Sequence, residues 1–182
     1  MRSAHERVGV QRADVAVDWM PLREANAIVT AHHYLHRPRP AGTAQRIIYR
    51  GVPAGVFIWA RPMVSGVCCG FEPKAIIELA RMYLTDNQPN LATASFRRGL
   101  AMIRQKYPLV RAVVSWCDRT RFDGAFYRAA GFKLHGMARL RSLEASSKRH
   151  GGGRRGRVTQ EDRLHPKDRY LLTLREDGNA NE

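Results

Sequence analysis

The chain is short of acid. Sixteen Asp and Glu stand against 31 Lys and Arg in 182 residues, a formal net charge of +15. An excess of that size on so small a chain fits a polyanionic partner, most simply nucleic acid, with a merely solvated basic surface as the competing reading. Cysteine is scarce as well. Cys68, Cys69 and Cys117 have no paired spacing, which excludes a disulfide framework and a thiolate zinc site and fits a reducing, cytoplasmic compartment. No apolar run is long enough to span a bilayer, so no membrane partner is expected. The opening MRSAHERVGVQRADV lacks the hydrophobic segment of a signal peptide. Residues 1–14 read as a flexible leader and 176–182 as a flexible tail. There are no internal repeats.

What is present suffices for one core. Hydrophobic residues make up 44%, and the span 15–175 suits a single domain. Val15 to Trp19 alternates as a short strand. MPLREANAIVTAHHYLH follows with Leu22, Ala25, Val29 and His33 at helical spacing, and this helix should run until Pro38 forbids a helical Arg37. RIIYR and VFIWA flank a GVPAG turn and predict a hairpin. Residues 62–74 carry several breakers and read as a loop. IIELARMYL reads as a strand whose alternation puts Ile77, Leu79, Arg81 and Tyr83 on one face and Glu78, Ala80 and Met82 on the other. After DNQPN, a helix begins at Leu91, with Phe96, Leu100, Ile103 and Tyr107 as its buried stripe. VRAVVSW is a central strand, CDRTRFDG a loop, and GAFYRAAGF a short helix with Gly131 at its end. MARLRSL and DRYLLTL supply the last strands. The order predicts an α/β fold, a mixed central sheet flanked by helices.

Two segments stand out chemically. KRHGGGRRGR lies in a Gly/Arg-rich loop at 146–163 and contributes Lys148, Arg149, Arg154, Arg155 and Arg157 with no acid. Guanidinium forks on a glycine-rich backbone suit phosphate contacts, and a solvated loop is the bland alternative. HHYLHRPRP carries three histidines. His32 with His36, and His33 with His36, have the spacing of metal ligands, but no nearby acid or cysteine completes a set; a helix C-terminus favours histidine for its own reasons. A metal, iron for example, therefore stays an open question. Arg37 and Arg39 extend the basic character next to it. Arg81, in an apolar strand, needs a partner: an ion pair with Asp118 or Glu78, or an anionic ligand. Asp118 follows the C-terminal end of an apolar strand, where α/β sheets bind ligands, with Ser115 near it on that strand; the alternative is a loop cap for Arg119 or Arg121.

The succession of strand, turn, long helix, apolar strand and short helix ending in AAGF resembles the GNAT acyltransferase fold over most of residues 15–140. GNAT enzymes hold the pyrophosphate of coenzyme A on a Gln/Arg-x-x-Gly-x-Gly/Ala loop. Here that position reads DNQPNLATASFRRG: Gln88 and Asn90 are present, the loop glycines are not, and Gly99 lies inside the helix. The resemblance thus does not extend to acetyl-CoA bound in the usual manner. More narrowly, the chain is similar to the Mom family of phage Mu, GNAT-like proteins that modify adenine in DNA. The matching pieces are His33-Tyr34 in HHY, Glu78-Leu79-Ala80-Arg81, Ser115 and Asp118 in SWCD, Tyr127 before AAGF, and LHPKDRYLL.

That resemblance implies conversion of adenine N6 to N6-carbamoylmethyladenine, which shields phage DNA from host restriction. It implies catalytic roles for His33, Tyr34, Arg81, Ser115, Asp118 and Tyr127: Arg81 on a carboxylate or carbonyl of the donor, Asp118 toward the adenine amino group, Tyr127 as a general acid by analogy with GNAT enzymes. For Tyr127 the alternative is a core aromatic, a part that suits Phe126 better. The target atom is paired inside a duplex, so the base must be flipped; Tyr34, Trp59 and Trp116 are the aromatic residues considered for stacking on it. The donor is not identifiable from sequence, and the oligomeric state is open, a homodimer included. Two other functions compete, an acetyl-CoA-dependent N-acetyltransferase and a basic DNA-binding protein without catalysis.

Overall fold

The computed structural model describes residues 12–62, 67–86, 88–137 and 167–174. After a short 3-10 turn come β1 (Val15–Met20), α1 (Leu22–His32), β2 (Thr43–Tyr49), β3 (Val52–Ala60), β4 (Ile76–Leu84), α2 (Leu91–Lys106), β5 (Ala112–Asp118), α3 (Ala125–Ala129), β6 (Lys133–Met137) and β7 (Lys167–Thr173). They form one seven-stranded sheet in the order β1-β2-β3-β4-β5-β7-β6. β4 and β5 run parallel and the other described pairs are antiparallel. This is the mixed α/β sheet that the element order predicts.

Alternation along β3 sorts the core into two layers. Val56 and Ile58 pack with Ala25 and Val29 of α1 on one face. Phe57 and Trp59 pack with Leu91, Phe96 and Ile103 of α2 on the other. Trp59 is fully buried, with its indole N–H donated to Gln45 Oε1 at 2.7 Å. It belongs to the core and is no platform for a flipped base.

Four local expectations change. The β2–β3 turn is Arg50-Gly51, both at positive φ (51° and 79°), the two-residue turn whose twist suits a hairpin. Val52 to Gly55 join β3 instead, and Ile47 and Ile48 face Gly55 and Pro53, so Ala54 is an extra residue and Pro53 sits at an irregularity that tolerates it. Helix α1 stops at His32, four residues early, because His33 turns to extended backbone (φ −77°, ψ 139°). The next turn is replaced by a loop that satisfies the helix end: His36, at φ 45°, donates its Nδ1–H to Thr30 O at 3.0 Å. Asp118 is the last residue of β5 rather than part of a loop. Strand β6 begins ahead of the stretch expected at 137–143 and is described over Lys133–Met137; residues 138–143 lie outside the described residues. Gly131, at φ 87°, does end α3, with Phe132 N–H bonded to Tyr127 O and Gly131 N–H to Arg128 O.

The change with most consequence is in β4. Ile58 pairs with Arg81, but Trp59 pairs with Leu79. Ala80 is therefore an extra residue, a bulge. The bulge reverses the alternation beyond it. Ile77, Leu79, Met82 and Leu84 all meet the α2-side core, while Tyr83 meets the α1-side core. Arg81 thus shares the α1 side with Glu78, not with Leu79.

Candidate active site

β4 and β5 are paired only from Ile76 and Ala112 to Leu79 and Ser115. Beyond that point β4 stays with β3 up to Leu84, and β5 stays with β7 up to Asp118. The two strands part, and their C-terminal ends frame a cavity of about 890 Å³. This is where open α/β sheets bind ligands. One wall is polar: His33, Tyr34, Arg37, Glu78 and Arg81. The other is mainly apolar: Leu79, Met82, Leu84, Ala92, Phe126 and Tyr127.

Ser115 closes the fork. It is buried, donates its hydroxyl proton to Leu79 O across the last strand pair at 2.9 Å, and lies 3.1 Å from Tyr127 Oη. Tyr127 donates to Trp116 O at 2.9 Å. Its ring stacks on Tyr170 at 4.5 Å and meets Phe126 edge-on. Burial pushes the Tyr127 phenol well above its ordinary pKa, a rise that the neighbouring Ser115 hydroxyl opposes. The hydroxyl stays protonated at neutral pH, so it is a donor and a potential acid.

His33 is 7% exposed. Its Nδ1 accepts the backbone N–H of Leu35 at 3.2 Å, which assigns the proton to Nε2. Burial, then the nearby positive charge of Arg81, hold its pKa down at about 4. At neutral pH it is an uncharged ring that donates through Nε2. Tyr34 stacks on it, centroids 4.4 Å apart. Burial and then the Asp118 carboxylate push the Tyr34 phenol up to about 12.

Arg81 donates Nη1 to Ala80 O at 2.6 Å and Nε to Arg37 O at 3.4 Å. Among the described residues it makes no ion pair. The carboxylate that sequence offers it, Glu78, is taken by Arg39 at 3.0 Å. Burial, then repulsion from Arg39, lower the Arg81 pKa from its ordinary value, which is still far above neutrality for a guanidinium. Arg81 is a charged fork in the cavity wall whose neighbouring acid, Glu78, is bonded to another arginine. Glu78 is itself buried, and burial raises its carboxyl above the usual range against the pull of Arg39 and Arg81.

Asp118 is buried at 2% exposure but does not line the cavity. Its Oδ1 accepts Thr120 N–H at 3.0 Å and Thr120 Oγ1–H at 2.7 Å, and Arg121 Nε lies 3.8 Å from Oδ2. It organises the loop leaving β5. Five of the six expected catalytic residues therefore share one cavity. Asp118 stands behind it, its charge felt at the Tyr34 phenol.

The basic residues divide. Arg37 lines the cavity. Arg39, expected on a DNA-facing surface, turns inward to Glu78, its side chain 13% exposed. Lys148, Arg149, Arg154, Arg155 and Arg157 lie outside the described residues. The histidines do not converge on a metal. His33 presents a protonated Nε2, His36 spends Nδ1 on Thr30 O, and His32 stacks on Tyr83 at 5.5 Å. Among the described residues no group of three or more His, Cys, Asp or Glu is placed to hold a metal ion. Nor is any described helix long and apolar enough to cross a membrane.

Three residues outside the expected site also reach the cavity; two of them, Glu78 and Lys167, fall in the segments similar to the Mom family, and the third, Phe122, does not. Regular alternation sets Glu78 on the opposite face from Arg81, and only the bulge at Ala80 puts them together. Lys167 comes in from β7, about ninety residues downstream of β4 in sequence. Phe122 belongs to a stretch that reads as an ordinary polar loop.

The forked β4/β5 pair and the helix after β4 define the class. Solved structures of the same fold include an aminoglycoside acetyltransferase, AAC(6')-Ib, in complex with coenzyme A (14% identity, TM-score 0.58, covering 87% of this chain and 94% of that one). They also include YncA, a putative acetyltransferase from Salmonella typhimurium with acetyl-CoA (11%, TM-score 0.57, 92% and 98%), and RimL, a ribosomal L7/L12 alpha-N-protein acetyltransferase (14%, TM-score 0.55, 93% and 99%). The protein has the GNAT acetyltransferase fold. Within it, the sequence profile of the Mom protein family matches residues 14–175, and the chain belongs to that family. No curated protein sequence matches it.

Proposed function

We propose that the protein is a DNA-modifying transferase that converts adenine N6 in double-stranded DNA to N6-carbamoylmethyladenine, protecting phage DNA from restriction in the host cytoplasm. The observation that carries the reading is Arg81. A guanidinium held in a cavity at the β4/β5 fork, with no ion pair among the described residues, is a seat for a carbonyl or carboxylate. In a Mom-family chain of net charge +15, the carbamoyl oxygen of the donor is the group of matching chemistry, and DNA the substrate of matching charge.

The reaction joins N6 to the methylene carbon of the donor. The bond from that carbon to the leaving group breaks, and N6 loses a proton. Arg81 and the Nε2–H of His33 hold the carbamoyl oxygen. Glu78, whose carboxyl burial makes a stronger base than an exposed one, takes the N6 proton. Tyr127 protonates or hydrogen-bonds the leaving group from the apolar wall. Asp118 acts through the loop and Tyr34 rather than on the base directly. The test is nucleoside mass spectrometry on DNA from bacteria expressing the protein. A carbamoylmethylated adenosine is expected, and Arg81→Ala should reduce it by roughly a hundredfold or more, as losing a transition-state donor does. Unmodified adenosine in cells holding folded protein would sink the reading.

The fold neighbours favour a second reading, acetyl transfer from acetyl-CoA to an amine. The N-terminus of α2 reaches the cavity at Ala92. Against it, Asn90 occupies the left-handed position before α2, and the loop carries no glycine for close approach of a pyrophosphate. Stoichiometric acetyl-CoA binding by calorimetry would establish this reading in place of the first.

A further inference from the structure

If adenine N6 in a duplex is the target, something must occupy the gap that the flipped base leaves. Among the described residues, five large hydrophobic side chains are exposed: Trp19, Val52, Leu109, Phe122 and Leu134. Of these only Phe122 lines the cavity, and it is 53% exposed there.

An exposed phenylalanine at a cavity lip is held in place, not left to collapse. Phe122 N–H bonds to Asp118 O at 2.9 Å and Arg121 N–H to the same oxygen at 3.2 Å. The Asp118 side chain pins Thr120 by two further bonds. The Phe122 ring meets Tyr34 edge-on at 5.5 Å. Tyr34 itself is engaged: His33 stacks on its ring at 4.4 Å, and the Arg121 guanidinium lies 5.3 Å over it. Trp116 has Arg169 over its ring at 5.8 Å. Phe122 is the lip aromatic with surface to spare.

The surrounding charge suits the same partner. The segment reads Arg-Thr-Arg-Phe, and the side chains of Arg119 and Arg121 are 52% and 45% exposed, each also near a carboxylate. Cations beside an apolar wedge are how proteins grip phosphates while prying a base step apart.

We infer that Phe122 is the wedge that enters the DNA stack and replaces the extruded adenine, with the Asp118-anchored loop as its mount. The inference rests on the proposed DNA reading. It gives Asp118 a positioning role that does not require contact with the base, and it makes Phe122 matter for paired DNA specifically.

The experiment uses the full-length protein and duplexes carrying 2-aminopurine, whose fluorescence rises when it leaves the stack, in every combination of flanking bases. The wild type should produce a several-fold rise on binding. Phe122→Ala, an exposed position, should lose the rise on the fully paired duplex. It should regain it when the analogue faces a mismatched base, already weakly held. Phe122→Leu, another apolar wedge, should restore it on the paired duplex. A Phe122→Ala protein that matches the wild type on paired DNA overturns the wedge and leaves the DNA reading standing. Loss on paired and mismatched DNA alike also overturns it, because Phe122 would then serve the loop and not the unpairing. No rise with the wild type on any duplex removes the DNA reading, and the wedge with it.

Discussion

At the scale of the residue, the site is set by which groups are left without an ion pair among the described residues and which are forced neutral. Arg81 keeps its charge but not its acid, because Arg39 takes Glu78 from it. Its planar guanidinium is oriented by the bonds of Nε to Arg37 O and Nη1 to Ala80 O, so Arg81→Lys, which keeps only a point charge, should not rescue the modification lost in Arg81→Ala; nucleoside mass spectrometry checks both. His33 is the opposite case, buried neutral. Its pKa is 6.5 in the unfolded chain and about 4 in the fold, so between those values the unfolded chain binds a proton that the folded protein refuses. Its contribution to stability is therefore intact above pH 6.5, declines as the pH falls, and is lost below pH 4, a swing on the order of 3 kcal/mol. Urea midpoints measured at pH 7 and pH 4.5 should fall further for the wild type than for His33→Gln. Equal falls would show that His33 is not buried neutral.

At the scale of the element, the cavity exists because two strands that begin as neighbours do not end as neighbours. Ser115 ties β4 to β5 at the last pair, and α2 supports the sheet behind them through a close approach at Gly99. Gln45 Nε2 donates to Gly99 O at 3.1 Å, and a Cβ at Gly99 would stand 2.6 Å from Gln45 Oε1 and 3.3 Å from the Phe57 ring. Gln45 is fully buried and already holds the Trp59 indole, so it has nowhere to retreat. Gly99→Ala should cost about 1–3 kcal/mol in chemical denaturation despite the higher helix propensity of alanine; a stabilised variant would refute the close approach. The elements themselves are legible in sequence, since α2 carries one apolar stripe and β5 is a near-continuous apolar run, as befits a central strand buried on both faces. The site is legible only by its residue types. His33, Tyr34, Arg81, Ser115 and Tyr127 do meet, but their facing depends on two departures from regularity that no period announces. One is the extra residue Ala80, which moves Arg81 across the sheet. The other is the early end of α1, where His33 turns to extended backbone and the His36 ring closes the helix end on Thr30 O, although the helical pattern runs on to His36. Phe122 has no signal at all, because an aromatic residue in a loop reads as neither core nor surface until the loop is placed.

At the scale of the whole molecule, the charge of +15 is too large to be set by the cavity, whose cations are few and partly paired. Exposed cations appear on α2 at Arg97, Arg98 and Lys106, and on the lip at Arg119 and Arg121. The densest run in sequence is Lys148 to Arg157. If that run grips the backbone, its contribution is non-specific and electrostatic, and it must appear in the salt dependence of binding rather than in the chemistry. Removing one arginine from a phosphate should make the slope of log affinity against log salt shallower by about 0.9. Arg154→Ala with Arg155→Ala should therefore flatten that slope by roughly two and weaken binding about equally on every duplex sequence. Phe122→Ala should leave the slope as it was while losing base extrusion, because an apolar wedge releases no counterions. Affinity titrations across a range of salt concentrations separate the two. A slope unchanged in the double arginine variant would take the glycine-rich run off the DNA and move the search for the phosphate grip to the lip and α2.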